Sequence, residues 1–226
     1  MKAGRKISSL SVGLLGVATL AATGCGSSTA SVRVLNASPG EGSITASVGG
    51  TSVASNLAYA TASGYASVTS GSETLEVSPS SSSTSIVNES ISLESSTSYT
   101  VMIANYSTSV ASVVLTDNNS APASGDMNLR IIQAAPSLPT ADVYVVAPGT
   151  SLASVSPTMS SLSFESASSY LPLTAGSYEI YFTPPGQKTS YIDSGPLTFS
   201  AGQVRSLVGL DGSAGGYTSA VLSDLN

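Results

Sequence analysis

The side chains that usually carry out catalysis are scarce in this chain. It contains no histidine, which excludes Ser-His-Asp triads, Cys-His pairs and histidine-ligated metal sites. Lys188 is the only lysine after residue 6, and it follows the turn-forming segment 184–187, where solvent would keep its amine protonated near neutral pH. Glu73 and Glu76 have opposite parity, so their carboxylates would point to opposite faces of a strand. The sequence therefore predicts a protein that is not an enzyme.

Oxygen ligands for a metal ion are grouped in two places, and neither group matches a known calcium loop. Residues 117–119 together with Asp126 supply carboxylates and amides, and Asp211 with Asp224 is a weaker version of this grouping. Calcium takes about six to eight oxygen ligands, usually with several carboxylates. Asp and Asn side chains that bond to their own backbone in turns explain both segments more simply. We expect no metal ion and no cofactor.

The only cysteine, Cys25, lies at the end of a segment that is typical of an export signal. Residues 2–6 contain three basic side chains, and residues 10–22 form an apolar run that is too short for a permanent membrane span. Small residues then lead to the cysteine. This order predicts a signal peptide over residues 1–24, with cleavage between Gly24 and Cys25.

Residues 22–25 resemble the lipobox of bacterial lipoprotein precursors, with Ala22 where leucine is commoner. The resemblance implies a diacylglyceryl thioether on Cys25, usually with a further acyl chain such as palmitate on its amine. Because two or more acyl chains give stable anchoring, the membrane is the expected partner through Cys25. Two other interpretations stay open, namely a buried free thiol and an ordinary cleaved signal peptide. Gly26 is not the Asp that retains lipoproteins on an inner membrane, so in a Gram-negative cell the outer membrane is favoured.

Cleavage would leave a strongly acidic chain. Four basic residues would remain against thirteen acidic ones, a net charge of −9. Nucleic acid is a poor partner for such a chain, because four scattered cations cannot displace counterions from a phosphate backbone. Residues 25–30 would form a short lipidated tether that keeps the first domain near the bilayer. We therefore expect a membrane-anchored lipoprotein of the bacterial cell envelope.

The chain after the signal segment repeats itself. Residues 32–39 and residues 129–136 share the order apolar, Arg, apolar, apolar, amide, Ala, small, Pro, and Tyr65 matches Tyr170 further on. A repeat of this length is a duplicated domain and not a solenoid unit. Polar, turn-forming residues separate the two copies. The predicted organisation is a first domain over residues 31–116, a linker over 117–126 and a second domain over 127–226.

Apolar residues alternate with polar ones in both copies, which predicts short strands. Two hairpins are expected, one between residues 65–68 and 74–77, the other between residues 178–183 and 191–192. No segment after Ala22 keeps helical spacing over three turns. Strands in units of about 90 residues predict an all-β fold, with two tandem immunoglobulin-like antiparallel β-sandwich domains after a signal peptide.

These motifs resemble the bacterial family of unknown function DUF4397. The resemblance rests on the opening of each repeat, on residues 141–145 and on the later strand tyrosines. The usual histidine of the opening is Asn36 in one copy and Gln133 in the other, and Asp142 is matched by Thr45. Family members often occur as tandem copies in exported or lipid-anchored proteins. The resemblance implies the fold and implies no activity, because none is known for the family.

Three side chains are candidates for contact with a ligand: Tyr181, Tyr191 and Arg130. Tyr181 should lie on the face of its strand opposite to Tyr178, Ile180 and Phe182, with Tyr191 across the hairpin, so that two rings could stack on a glycan. The alternative for the tyrosines is cross-strand packing.

Arg130, like Arg33, interrupts an apolar strand. Its charged side chain would either contact a ligand or lie on an edge strand, where it would prevent the sheet from pairing with another sheet.

The predicted function is a lipid-anchored cell-envelope protein that acts as a non-catalytic binding or adhesion module. A protein or a glycan would meet the loops of the second domain. The alternative is a structural envelope spacer without a dedicated ligand. A hydrolase would need titratable groups that converge in a cleft, and the sequence offers none.

Overall fold

The computed structural model of the protein describes Met1 and residues 28–225. The predicted cleavage site at Gly24, the predicted lipidation site Cys25 and, apart from Met1, the predicted signal peptide lie outside the described residues. Within the described part, no helix combines the length and the apolar character needed to cross a membrane.

Alternating side chains form strands through most of the described chain, because successive residues of a strand point to opposite faces. One 3-10 turn, Leu152–Ser154, interrupts the pattern. The strands are β1 (Thr29–Ala37), β2 (Ile44–Val48), β3 (Thr51–Leu57), β4 (Thr61–Ala62), β5 (Ala66–Thr69), β6 (Gly71–Pro79), β7 (Val87–Leu93), β8 (Ser98–Ala104), β9 (Ala111–Asp117), β10 (Asp126–Gln133), β11 (Thr140–Val146), β12 (Met159–Ser163), β13 (Ser166–Ala167), β14 (Leu171–Thr174), β15 (Gly176–Thr183), β16 (Ile192–Phe199), β17 (Val204–Asp211) and β18 (Tyr217–Leu225).

Domain 1 consists of two sheets. Its outer sheet has the order β3-β2-β6-β7, and its inner sheet has the order β4-β1-β8-β9, with β5 also paired to β1. Strand β1 is antiparallel to β4 and β5 but parallel to β8. Because β1 has partners on both edges, it is a central strand.

Domain 2 repeats this arrangement strand for strand. Its outer sheet has the order β12-β11-β15-β16, and its inner sheet has the order β13-β10-β17-β18, with β14 also paired to β10. Strand β10 is parallel to β17, as β1 is to β8. Asp117 ends β9 and Asp126 begins β10, so residues 118–125 connect the domains without forming a strand.

Each domain has its own apolar core between its two sheets. In domain 1, Val32 and Val34 of β1 pack with residues of the outer sheet such as Ile44 and Leu75. In domain 2, Leu129 and Ile131 of β10 pack in the same way against outer-sheet residues such as Phe182. The prediction of an all-β chain with two β-sandwich domains is confirmed.

A third core lies between the two inner sheets. The residues of β1 and β10 that point away from their own domain cores, Leu35 and Ile132 among them, pack together with Met102 and Val208. All four are completely buried. The sheets therefore stack in the order outer, inner, inner, outer, and each inner sheet carries buried apolar residues on both faces.

One of the two predicted hairpins is wrong. Residues 65–68 were expected to pair with residues 74–77, but β5 pairs with β1 of the inner sheet and β6 pairs with β2 and β7 of the outer sheet. Gly71 has a φ of +121°, a conformation that side-chain-bearing residues rarely adopt, and here the chain crosses from one sheet to the other. The hairpin between β15 and β16 forms as predicted, with Phe182 opposite Ile192.

Candidate functional site

A cavity of about 340 Å³ opens at one end of the inner sheets, and both domains line it. The four turns that form it are equivalent in pairs, since each domain contributes the turn after its first strand and the turn before its last strand. We call this the inter-domain cavity. Its lining is Pro39, Gly40 and Tyr106 from domain 1, and Ser137, Asp211 and residues of the turn 212–216 from domain 2.

Short turns hold these residues in place. Tyr106 begins a turn that is closed by a hydrogen bond from the Ser109 amide to the Tyr106 carbonyl, at 2.8 Å. In the hairpin between β17 and β18, the Gly212 amide donates to the Gly216 carbonyl at 2.8 Å. A Cβ atom on Gly212 would lie only 2.5 Å from the Gly215 carbonyl oxygen, so this hairpin needs glycine to close.

Asp211 joins the two domains at the floor of the cavity. Its Oδ2 accepts a hydrogen bond from the Tyr106 hydroxyl at 2.8 Å, and its Oδ1 accepts one from Ser137 Oγ at 2.6 Å. The hydroxyl of Tyr59 donates to the Asp211 carbonyl oxygen at 2.6 Å. Two tyrosines of domain 1 are thus bonded to a single buried residue of domain 2.

One tyrosine ring lines the cavity, and two others are connected to its lining through Ser137. Tyr106 of domain 1 is 44% exposed, and Tyr191 of domain 2 is 45% exposed. The ring of Tyr191 lies 5.2 Å from that of Tyr217, centroid to centroid, at an angle of 30°. The Tyr217 hydroxyl reaches the Ser137 carbonyl oxygen at 3.4 Å. Tyr106 therefore lines the cavity itself, whereas Tyr217 contacts the lining residue Ser137 and Tyr191 contacts Tyr217.

The charge around the cavity is negative. The hydrogen bond to Asp211 raises the pKa of the Tyr106 hydroxyl, and burial followed by the charge of Asp211 raises the pKa of Tyr59. Both hydroxyls therefore stay protonated at neutral pH and act as donors. None of the described residues that line the cavity is a lysine or an arginine. The arrangement offers ring faces, hydroxyls and one carboxylate, which suits a neutral polar ligand.

A second polar cluster lies buried between the inner sheets, and we call it the ion-pair network. Arg33 of β1 forms an ion pair with Asp224 of β18, and Nη2 of Arg130 lies 2.7 Å from Oδ1 of Asp117. Each pair joins one domain to the other. All four side chains are almost completely buried.

Hydroxyl groups complete the network in equivalent positions. Nε of Arg33 donates to Thr100 Oγ1 at 2.8 Å, and Nε of Arg130 donates to Ser206 Oγ at 2.9 Å. Thr100 in turn donates to Asp117 and Ser206 donates to Asp224. Each carboxylate thus accepts hydrogen bonds from its own domain and forms an ion pair with the other.

Two matched tyrosines cover the network. The Tyr65 hydroxyl donates to Asp117 Oδ2 at 2.6 Å, and the Tyr170 hydroxyl donates to Asp224 Oδ2 at 2.8 Å. Cζ of Arg33 lies 4.9 Å from the centre of the Tyr65 ring, and Arg130 stands in the same way over Tyr170 at 4.8 Å. Burial raises the pKa of both hydroxyls above the usual value.

Arg33 stays charged in this setting. Burial alone would lower the pKa of its guanidinium, but the charge of Asp224 and further interactions with Tyr65 and Asp117 outweigh this effect and leave the pKa raised. The network is therefore a fixed ionic contact between the domains.

Arg130 does not occupy either of the positions that the sequence suggested. Its side chain is 2% exposed and paired with Asp117, so it does not face a ligand. Strand β10 has partners on both edges, so Arg130 does not guard an edge strand either. The reason is that the other domain covers this face of the sheet, and the same holds for Arg33.

Tyr181 and Tyr191 do not form the pair of rings that the sequence suggested. Tyr181 is half-buried in the outer sheet of domain 2, opposite Tyr144 on one side and Asp193 on the other. Burial, followed by a hydrogen bond with Glu179, raises the pKa of Tyr181 to about 12. Tyr191 lies just before β16 and packs against the ring of Tyr217 at a tilt of 30°.

The acidic groups that were weighed as calcium ligands serve other contacts. Asp117 and Asp224 pair with arginines, and Asp211 bonds Tyr106 and Ser137. Asp211 and Asp224 lie at opposite ends of the hairpin formed by β17 and β18. Among the described residues, no three His, Cys, Asp or Glu side chains are grouped so that they could hold a metal ion.

The sequence interpretation missed Tyr106, Tyr217 and the role of Asp211. Tyr106 stands in a turn between Asn105 and Ser107, and a large ring among small polar turn residues was the available signal. The segment that begins with Asp211 reads as a polar turn, which it is. That the two turns meet across the domain boundary could not be read from either one.

Comparison with known proteins gives little beyond the family. No curated protein matches the chain. One solved structure that matches is a family 26 carbohydrate-binding module from Eubacterium rectale, determined in complex with maltoheptaose. It shares 10% identity, the match covers 86% of this chain and 96% of that one, and the TM-score is 0.29.

The family match covers domain 1 and the first two strands of domain 2. Residues 30–144 match the family described as a domain of unknown function, DUF4397. This is half of the chain, and it includes the opening of both repeats. The chain belongs to the DUF4397 family.

Proposed function

We propose that the chain is an exported lipoprotein that holds a non-catalytic, two-domain binding module in the bacterial cell envelope. The inter-domain cavity is its binding site. The observation that carries this proposal is the exposed Tyr106 ring next to the buried Asp211, in a cavity to which both domains contribute. Exposed aromatic rings beside a few fixed polar groups are typical of sites that bind and orient a ligand.

The second half of the chain is a second copy of the same domain. Support comes from the identical order of strands in the two sandwiches. It also comes from the paired positions of the arginines, the acids and the tyrosines in the ion-pair network.

Binding is favoured over catalysis by the chemistry of the site. A general base or nucleophile needs a partner that activates it. Both oxygens of Asp211 already accept protein hydrogen bonds, and the described cavity lining contains no cation. The chain also contains no histidine.

The sequence around Cys25 supports the proposed location in the cell envelope. A signal segment that ends in the only cysteine supports lipidation and export. Gly26, which stands where an Asp would retain a lipoprotein on the inner membrane, supports attachment to the outer membrane in a Gram-negative cell. The acidic net charge gives no attraction to anionic lipid, so the acyl chains alone would hold the protein at the bilayer.

Lipidation is tested by Cys25→Ser, with Ser27→Ala as the control. We expect the unaltered chain and the control to incorporate labelled palmitate and to sediment with the cell envelope. The Cys25→Ser chain should incorporate no label, because the thioether needs the sulfur. A Cys25→Ser chain that still matures and sediments in labelled form would contradict the proposal.

A structural spacer is the second candidate, and the ion-pair network is the observation that favours it. Ion pairs and a third apolar core hold the domains in one orientation, as a rigid spacer would need. The two functions differ in their dependence on Tyr106. A spacer tolerates Tyr106→Ala in cells, whereas a binding module loses its ligand.

A further inference from the structure

We propose that the inter-domain cavity binds a neutral glycan, with a sugar ring stacked on the tyrosines and its hydroxyls bonded to Asp211. The inference rests on the proposed function as a binding module, and it names the ligand class. It also makes the site a composite of both domains, since Tyr106 comes from one and Asp211 from the other.

The ring faces are the first argument. Tyr106 and Tyr191 are two of the few large hydrophobic side chains that are exposed in the described chain, at 44% and 45%. Tyr106 lines the cavity, and Tyr191 contacts Tyr217, whose hydroxyl reaches the carbonyl oxygen of the lining residue Ser137. A sugar ring has an apolar C–H face that packs on such rings, while its hydroxyls stay available at the edge. Tyrosine is suited to this contact because its ring is apolar and its hydroxyl is polar.

The remaining hydrogen-bonding capacity is the second argument. An ionised carboxylate has about four acceptor positions, and Asp211 uses one on each oxygen, for Tyr106 and for Ser137. Each oxygen can therefore accept one more hydrogen bond from a ligand hydroxyl. The Tyr106 hydroxyl donates to Asp211 and also interacts with the Ser137 side chain, so the acceptor positions left for a ligand are mainly those of Asp211. Adjacent hydroxyls of a sugar match this set of acceptors.

The charge and the volume of the cavity restrict the class of ligand further. With Asp211 at the floor and no lysine or arginine among the described lining residues, the cavity repels phosphates, uronic acids and sialic acids. Its volume of about 340 Å³ is at the lower end for ligand pockets. A stable protein partner would need a contact of roughly 1,000 Å² or more, which this cavity does not supply. A short neutral glycan segment fits these limits best.

Titration with defined oligosaccharides tests the inference. The full chain, purified in a zwitterionic detergent to avoid sugar headgroups, is titrated with neutral oligomers of glucose, N-acetylglucosamine, mannose and galactose. Galacturonic acid oligomers are the anionic counterpart. Because the chain has no Trp, its fluorescence comes from its ten tyrosines, and the part of the change that is due to the cavity is the part lost in the tyrosine variants below. We expect at least one neutral series to bind and the anionic series not to bind.

Four variants locate the binding. Tyr106→Ala and Tyr191→Ala should each weaken it about tenfold or more, as truncation of a central aromatic contact does. Tyr106→Phe keeps the ring and should weaken it less. Tyr181→Ala, in the outer sheet of domain 2, is the matched control and should leave it unchanged. If Tyr106→Ala fails to fold, Tyr191→Ala still tests the inference, because the exposed ring of Tyr191 is not part of a core.

Two results would overturn the inference. Sugar binding that survives both Tyr106→Ala and Tyr191→Ala would place it elsewhere. The second result has two parts. The chain binds none of the neutral oligosaccharides, and it still binds isolated envelopes whose glycans have been oxidised by periodate, in a way that Tyr106→Ala abolishes. A protein would then be the ligand, and the proposed binding function would stand. A chain that binds neither sugars nor envelopes would remove the proposed function as well.

Discussion

The arginines of the ion-pair network show how two residues in equivalent positions can fix the relation between two domains. Arg33 pairs with Asp224, which is 191 residues further along the chain. A buried ion pair adds little net stability, because both charges lose water, but a buried charge without its partner is very unfavourable. The domains are therefore held in the one orientation in which both arginines meet a carboxylate.

Asp224→Asn should lower the free energy of unfolding by about 3–5 kcal/mol, because the substitution keeps the shape of the side chain but removes the nearer of the two buried carboxylates that face Arg33, the other being Asp117. Glu94→Gln removes an acid from an exposed position and is the control, with an expected change within about 0.5 kcal/mol. Urea denaturation measures both. Equal unfolding midpoints for the two variants would show that the pair with Asp224 does not hold the domains.

At the scale of the element, strand β17 has to serve two interfaces. One of its faces lies against the other domain, where Val208 and Leu210 join the third core. The other face lies against the outer sheet of its own domain. Gly209 is on that face, and a Cβ atom there would come within 2.8 Å of both Phe182 and Ile192. The glycine lets the backbone of β17 approach these side chains closely.

Gly209→Ala should destabilise the protein by about 1–3 kcal/mol, because the added methyl group overpacks a filled core. Gly64→Ala is the matched control, since a Cβ atom at Gly64 meets nothing within 4 Å. Thermal unfolding followed by circular dichroism compares the two. A Gly209→Ala chain as stable as the control would mean that the ring of Phe182 moves aside without strain.

At the scale of the whole molecule, the two domains form one stack of four sheets. The third core and the ion-pair network lie between the inner sheets, so residues 118–125 connect the domains without acting as a hinge. Tyr65 and Tyr170 cover the network from either side and donate to its carboxylates. Their protonation therefore bears on the contact between the domains.

The stability of the molecule should fall as the pH rises above 10. The folded chain raises the pKa of Tyr65 and Tyr170 above their ordinary value of 10.0, so folding favours the neutral hydroxyls. Their contribution to the free energy of unfolding is complete below pH 10. Above pH 10 the tyrosines of the unfolded chain ionise first, and the contribution falls by at most about 1.4 kcal/mol per pH unit for each tyrosine.

The double variant Tyr65→Phe, Tyr170→Phe isolates this effect. Denaturant unfolding between pH 8 and pH 11 should show a shallower decline for the double variant than for the unaltered chain. Tyr178→Phe, whose hydroxyl bonds only the Thr174 carbonyl near the surface, is the control and should keep the full slope. Identical slopes for the double variant and the unaltered chain would contradict the role given to the two hydroxyls.

Features that depend on local pattern could be predicted from the amino-acid sequence. Alternation of apolar residues gave the strands and the two sandwiches, because the period of two decides which side chains are buried in each domain. The repeat identified Arg33 and Arg130 as equivalent positions of the two copies, and likewise Tyr65 and Tyr170. The export signal with Cys25 was also readable, since it depends on the order of residues alone, and it remains a prediction.

The partners of these residues depend on how the sheets pack in three dimensions. Val32 and Leu35 are both apolar, but one faces its own domain and the other faces the second domain. The period of two places them on opposite faces of β1, but it does not show that a second domain covers the face with Leu35, so the burial of Arg130 was missed. The cavity was missed for the same reason. Tyr106 and Asp211 are 105 residues apart and meet only because the inner sheets pack face to face.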